Sequence, residues 1–234
     1  MIQHQVINEI IEICNYCVNK GWVESRAGNL SYRIEDNDLQ TWLISNSQHW
    51  IIQNAEYKYE GNTPTLLITN SGSKFRNIAK QPYQHCCFVY FKDGNIYIHS
   101  SSENNVPSSE LESHLLIHQL LMQTQPHKKA VVHIHPTNLI AFTNKYYDLN
   151  NNDLNSILQD INPDIDSYIT KKTGWLNHFK AGSYELAINT LPLISEHDLI
   201  VWKKHGCLAI GDSFWDAIDL IDVIDKVAQI GLNL

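Results

Sequence analysis

Positive charge is scarce in this chain: 17 lysines and arginines stand against 25 aspartates and glutamates, a net charge of −8 with the histidines neutral. That deficit excludes the broad positive field that holds nucleic acid or an anionic membrane surface, so any bound phosphate must sit in a local pocket. Long apolar runs are missing too. No stretch is long enough to span a bilayer, and the N-terminus lacks the basic, apolar and small-residue series of a secretory signal. A soluble cytoplasmic protein is expected. Cysteines number five, with Cys86 and Cys87 adjacent, and an odd set of this kind excludes a disulfide framework. Neither an internal repeat nor a domain linker is visible.

What is present suits one domain. A chain of 234 residues with 43% hydrophobic content fills one sizeable core and is short for two, so 1–234 reads as a single domain. The spacing predicts a first helix over Gln5–Asn19, closed by Lys20-Gly21, with Cys14-Asn15-Tyr16-Cys17 as buried thiols inside it. A strand follows over 28–34. Residues 35–63 read as an insertion between core strands, with strand-like pieces such as Trp42-Leu43-Ile44. Strands resume at Leu66–Thr69, His85–Phe91 and Ile96–Ile98, the last two joined by Lys92-Asp93-Gly94-Asn95, a hairpin signal. A second helix should start at a capping box, Ser109-x-x-Glu112, ahead of Leu111, Leu115, Leu116 and Leu120. Thr137–Asn144 looks helical and Asn150-Asn151-Asn152 looks like a solvated loop. The last helix starts at Asp212 or Ser213, and its Asp216, Asp219, Asp222 and Asp225 read as a solvated or intersubunit face.

The most informative stretch is Ala130-Val131-Val132-His133-Ile134-His135-Pro136. An apolar strand with histidines at i and i+2 points both imidazoles from one face. His205, in Lys204-His205-Gly206-Cys207 after a second apolar strand, is the third candidate, with a glycine that lets the backbone turn tightly beside a ligand. Three histidines leave a coordination position open on zinc, the arrangement of a catalytic site. Glu110 opens the second helix, where the dipole favours a carboxylate with no further role. Beside it, however, Ser108 and Ser109 put hydroxyls and free backbone N–H groups at a helix N-terminus, a ready anion site. Asn29 after Gly28, and Ser71-Gly72, add two small-residue polar loops. His114 and His118 could mimic a helical metal pair, but the general base of an H-E-x-x-H site is missing, and His114 is expected to pack or hydrogen-bond near that helix.

Taken in order, Gly28-Asn29-Leu30-Ser31, Thr69-Asn70-Ser71-Gly72, Pro107-Ser108-Ser109-Glu110, His133-Ile134-His135-Pro136 and His205-Gly206 resemble the class II aldolase/adducin family, over about residues 21 to 230. The resemblance implies an α/β fold, a three-layer α/β/α domain with a central, mainly antiparallel sheet, assembled as a homotetramer. It implies Zn2+, or another divalent transition metal, on His133, His135 and His205, stabilising charge at a carbonyl oxygen during retro-aldol cleavage of a ketose 1-phosphate. L-rhamnulose 1-phosphate, cleaved to dihydroxyacetone phosphate and L-lactaldehyde, is the first candidate. Glu110 would exchange a proton with substrate carbon, and Asn29, Ser71, Gly72, Ser108 and Ser109 would hold the phosphate. Asp164, after Asn162-Pro163, matches the place of an acidic group that crosses a subunit contact, one methylene shorter than the family's glutamate. Arg26 departs from the family's asparagine at its loop. Alternatives within the family are cleavage of fuculose 1-phosphate, 4-epimerisation of ribulose 5-phosphate and dehydration of methylthioribulose 1-phosphate. Outside catalysis stands an adducin-like interaction module.

Overall fold

The strand that carries His133 and leads to His135 is buried along its whole length, because it runs through the middle of a sheet with helices on both sides. The computed structural model describes residues 2–35, 48–52, 63–92 and 95–234. Its strands are β1 (Asn29–Ile34), β2 (Gln48–Ile52), β3 (Thr65–Thr69), β4 (Cys86–Lys92), β5 (Asn95–Ser100), β6 (Ala130–Ile134), β7 (Thr173–Leu176), β8 (Leu199–Trp202) and β9 (Gly206–Gly211). They form one nine-stranded sheet in the order β2-β5-β4-β3-β1-β6-β9-β8-β7. Every neighbouring pair is antiparallel except β7 with β8. The helices are α1 (Ile2–Lys20), α2 (Phe75–Ile78), α3 (Pro82–His85), α4 (Leu111–Thr124), α5 (Thr137–Lys145), α6 (Asn151–Ile161), α7 (Ile165–Tyr168), α8 (Tyr184–Ile194) and α9 (Phe214–Asn233).

Alternation along each strand divides the core into two layers. Val132 and Ile134 of β6, Leu199 and Val201 of β8, and Cys207 and Ala209 of β9 pack with the apolar faces of α1, α6 and α9. Val131, Ile200, Trp202, Leu208 and Ile210 point the other way, against Ile117 and Leu121 of α4 and Leu186 and Ile194 of α8. The architecture is therefore the expected three-layer α/β/α. Each fully buried Leu or Ile contributes about 1.5–3 kcal/mol relative to exposure. Among the described residues no helix is long and apolar enough to cross a membrane. All five thiols are free and buried, and burial pushes Cys17 up to about 12, so the C-x-x-C spacing is core packing.

Several expectations change in detail. Within 35–63, Gln48–Ile52 is an edge strand of the sheet paired with β5; Trp42-Leu43-Ile44 lies outside the described residues. Asp93 and Gly94 lie outside them as well, although Lys92 pairs with Asn95 in an antiparallel register. The asparagine run starts a helix: Asn150 caps α6, its side chain accepting from the N–H groups of Asn152 and Asp153. Ser213 caps α9 in a capping box with Asp216. Asp225 does not face solvent. It is buried and accepts from Trp22 Nε1, Asn138 Nδ2 and the Leu139 N–H, so it clamps the loop after α1 to the start of α5.

Candidate functional site

β6 sits between β1 and β9, so its end receives side chains from both neighbours. Asn29, the first residue of β1, stands opposite His133 in the register. His135 lies just past β6, and its N–H donates to the Trp22 carbonyl, 2.9 Å away. His205 lies in the β8–β9 turn. The residue that makes this turn is Lys204, with φ of 66°, and its N–H donates to Thr143 Oγ1. Gly206 serves a different need from the one expected: a Cβ there would stand 2.5 Å from the Ile134 carbonyl oxygen and 2.8 Å from His135 Cδ2. Only glycine lets the two chains approach closely enough for the three rings to converge. Trp202 stacks on the His205 ring at 5.4 Å and is itself anchored through Nε1 to Thr190 Oγ1.

The three histidines each offer one ligand atom, and these atoms lie within 4.8 Å of one another. His133 Nδ1 donates to the Cys207 carbonyl oxygen at 2.9 Å, and His135 Nδ1 donates to Glu24 Oε1 at 3.1 Å. An imidazole whose Nδ1 carries the hydrogen has its lone pair on Nε2. The two Nε2 atoms face each other at 3.2 Å. Two lone pairs at that separation repel unless a cation lies between them, so the donor set fits a metal ion. Burial, reinforced by neighbouring histidine charge, pushes His133 and His205 down to about 3, which keeps both rings neutral. The Nδ1 of His205 is buried and without a partner among the described residues.

Glu110 faces this group. Its Oε2 lies 3.5 Å from His133 Nε2 and its Oε1 lies 3.8 Å from His205 Nε2. It is the N-cap residue of α4 and not a first-turn residue, and no side-chain cap bond forms at that helix start. The predicted Ser109–Glu112 box is therefore absent. Instead the Glu110 N–H donates to Ser108 Oγ, and Ser109 is exposed towards the cleft, with its carbonyl against Gly182.

The serine loops are tied together by the backbone. The Ser71 N–H donates to the Val106 carbonyl and the Ser108 N–H to the Thr69 carbonyl, so these two groups are not free for an anion as expected. Among the described residues the N–H groups of Gly72 and Ser109 have no backbone acceptor. Together with Asn29, Asn70, Glu110 and the three histidines, Ser71, Gly72, Ser108 and Ser109 line one cleft of about 160 Å³. Arg26 and Ala181 also line it. The Arg26 Cδ and Nη1 lie 3.7 Å from where a Cβ on Gly72 would stand, and the guanidinium makes no ion pair among the described residues. A larger cleft of about 790 Å³ beside Tyr147, Trp175 and Phe179 has no histidine or thiol in its lining among the described residues.

Nine of the ten site residues read from the sequence thus meet in one place. Asp164 does not: it is exposed before α7 and is absent from the lining of this cleft. Sequence reading missed Glu24, which orients His135 across a separation of 111 residues, and Ala181. Neither has a local signal, since both reach the site by tertiary contact.

The family model for the class II aldolase and adducin N-terminal domain matches residues 8–232. A rhamnulose-1-phosphate aldolase from Bacteroides thetaiotaomicron is 28% identical over 231 residues, covering 96% of this chain and 84% of the relative. Another from Listeria welshimeri is 24% identical over 233 residues, covering 97% and 83%. A sugar-phosphate aldolase from Thermotoga maritima matches with a TM-score of 0.84 at 27% identity, over 100% of this chain and 96% of that one. An L-fuculose-1-phosphate aldolase from Thermus thermophilus shares the fold, with a TM-score of 0.65 at 17% identity over 98% and 94%.

Proposed function

Because the chain belongs to the class II aldolase and adducin family, we propose that it cleaves a ketose 1-phosphate by a metal-dependent retro-aldol reaction. The first candidate is L-rhamnulose 1-phosphate, giving dihydroxyacetone phosphate and L-lactaldehyde; the names of the relatives support this choice. The observation that carries the reading is Glu110: a buried carboxylate faces two of three converging histidines beside a loop pair rich in hydroxyls.

His133, His135 and His205 would hold the metal, zinc or another divalent transition ion, which supplies Lewis acidity to a substrate oxygen. Breaking C3–C4 leaves the bonding pair on the dihydroxyacetone phosphate half, and Glu110 delivers a proton to C3. The C4 hydroxyl must lose its own proton to become the aldehyde. We assign that proton to Asp164 of a neighbouring subunit in a homotetramer, in keeping with its exposure on this chain.

Phosphate binding falls to donors: the Ser71, Ser108 and Ser109 hydroxyls, the Gly72 and Ser109 N–H groups, and the Asn29 amide hydrogen not used internally. The Arg26 guanidinium, lying against Gly72, adds a charge-assisted contact. We assign the reaction to the cytoplasm, in keeping with five free thiols.

A panel of sugar phosphates tests the reading. Purified, metal-replete protein should release dihydroxyacetone phosphate with its highest kcat/KM from L-rhamnulose 1-phosphate. Preference for fuculose 1-phosphate, or turnover only of ribulose 5-phosphate or methylthioribulose 1-phosphate, would move the chain to another branch. Metal-free, inactive protein would point to a non-catalytic adducin-like module.

A further inference from the structure

Behind Glu110 runs a chain of side-chain hydrogen bonds that ends deep in the α4 layer. Asn29 Nδ2 donates to Glu110 Oε2 at 3.0 Å. Asn29 Oδ1 meets His114 Nε2, His114 Nδ1 meets Ser31 Oγ at 2.6 Å, and Ser31 Oγ meets His118 Nε2 at 2.8 Å. All five residues are buried, His114 and His118 completely. Ser31 reaches both rings because it shares the α4-facing side of β1, and the two histidines stand one turn apart on that helix.

The direction of the chain follows from the chemistry of its ends. The Asn29 amide turns its NH2 to Glu110 Oε2 and its oxygen to His114. His114 then donates from Nε2, and its Nδ1 is a lone pair that accepts from the Ser31 hydroxyl. The Ser31 oxygen in turn accepts from His118 Nε2–H. His118 Nδ1 has no partner among the described residues, and in this direction it is an acceptor. Run backwards, the chain would leave a buried N–H there without an acceptor, the costlier of the two arrangements.

We propose that His114, held by Ser31 and His118, is a positioning residue: it locks the Asn29 amide in the orientation that aims the Glu110 carboxylate at His133 and His205. The role rests on the reading of Glu110 as the group that exchanges a proton with substrate. It also explains how Asn29 serves two tasks, one amide hydrogen committed to Glu110 and the other free for substrate.

Two readouts on the intact, metal-loaded protein test this. Two-dimensional NMR of ¹⁵N-histidine-labelled protein reports the tautomer of His114 directly; the Nε2–H form is expected. In kinetics, His114→Leu removes both ring contacts and should lower kcat about 10- to 100-fold, the range for residues that orient catalytic groups. Bound metal should stay near wild type, and KM should rise by less than kcat falls. His114→Gln, with one donor and one acceptor, should recover most of kcat. The Nδ1–H tautomer in an active wild type overturns the proposal alone, and so does a His114→Leu enzyme with unchanged kcat. If His114→Leu does not fold, Ser31→Ala takes its place, with kcat expected to fall by more than KM rises; an unchanged kcat there overturns the proposal. An inactive wild type with the Nε2–H tautomer overturns the aldolase reading instead, and the catalytic purpose of the chain with it.

Discussion

His133 and His135 face each other through Nε2 atoms 3.2 Å apart, while the Cys207 carbonyl and Glu24 hold their Nδ1 hydrogens on the far sides. The two lone pairs are thus turned towards one place, the arrangement a shared metal ion would use. Glu24 is the accessible lever on this arrangement, with 68% of its side chain exposed. Glu24→Gln should leave thermal stability unchanged and weaken zinc affinity about 10- to 100-fold, as expected for a group that orients a ligating imidazole. Competition with a zinc chelator measures it; unchanged affinity would mean that His135 is oriented by the backbone alone.

Arg26 gives a second prediction. Its guanidinium lies against Gly72 in the cleft, beside the neutral donors proposed for the phosphate. Arg26→Ala should raise KM for the sugar phosphate about tenfold, the loss of one charge-assisted hydrogen bond, and leave kcat near wild type. The variant should also show a flatter dependence of KM on salt. Equal KM and salt dependence in the two proteins would leave Arg26 outside the phosphate pocket.

Acid should unfold this protein through its buried histidines. Burial pushes His114 down to about 4 and His118 well below its ordinary 6.5. The unfolded chain takes up these protons near pH 6.5 and the folded chain does not, so the unfolded state binds more protons in between. Stability is fully present above pH 6.5 and is lost as pH falls through the window towards about 4. Urea midpoints measured across that window should fall steeply in the wild type and less steeply in His114→Gln. Parallel slopes would contradict this linkage.

Most strands and the residues that line the candidate cleft were legible in the sequence because period-two strands and short ordered motifs are local; the three-layer arrangement came from the family resemblance. His133 and His135 needed only their spacing. Features built by distant contacts were not visible. Asp225 looks like one member of an acidic stripe, yet it is buried by Trp22 and Asn138, residues far away in the chain. Ser109 and Glu112 satisfy a capping pattern that the structure does not use, because Ser108 takes the Glu110 N–H and Ser109 turns to the cleft beside Gly182. Gly206 looks in the sequence like a turn residue; its real constraint, the Ile134 carbonyl 2.5 Å from a would-be Cβ, belongs to another strand.

Asp164 tests the contribution across a subunit contact. It is exposed and is absent from the cleft lining of its own chain. Asp164→Asn should slow carbon–carbon cleavage by about 10²-fold or more, the scale of a lost general base, while sparing proton exchange at dihydroxyacetone phosphate. Sedimentation of the wild type should give a tetramer. Equal loss of both reactions would make Asp164 structural, and loss of neither an ordinary loop residue.

The most direct test of the central claim, a metal-assisted proton exchange at carbon by Glu110, needs no aldehyde and no knowledge of the sugar. It is deuterium incorporation at C3 of dihydroxyacetone phosphate in D2O. Metal-replete wild type should incorporate one deuteron, chelation should stop it and added zinc restore it. Glu110→Gln, with metal still bound, should be slower by about 10² to 10⁴. Exchange that survives chelation, or that proceeds at the wild-type rate in Glu110→Gln, would contradict the account.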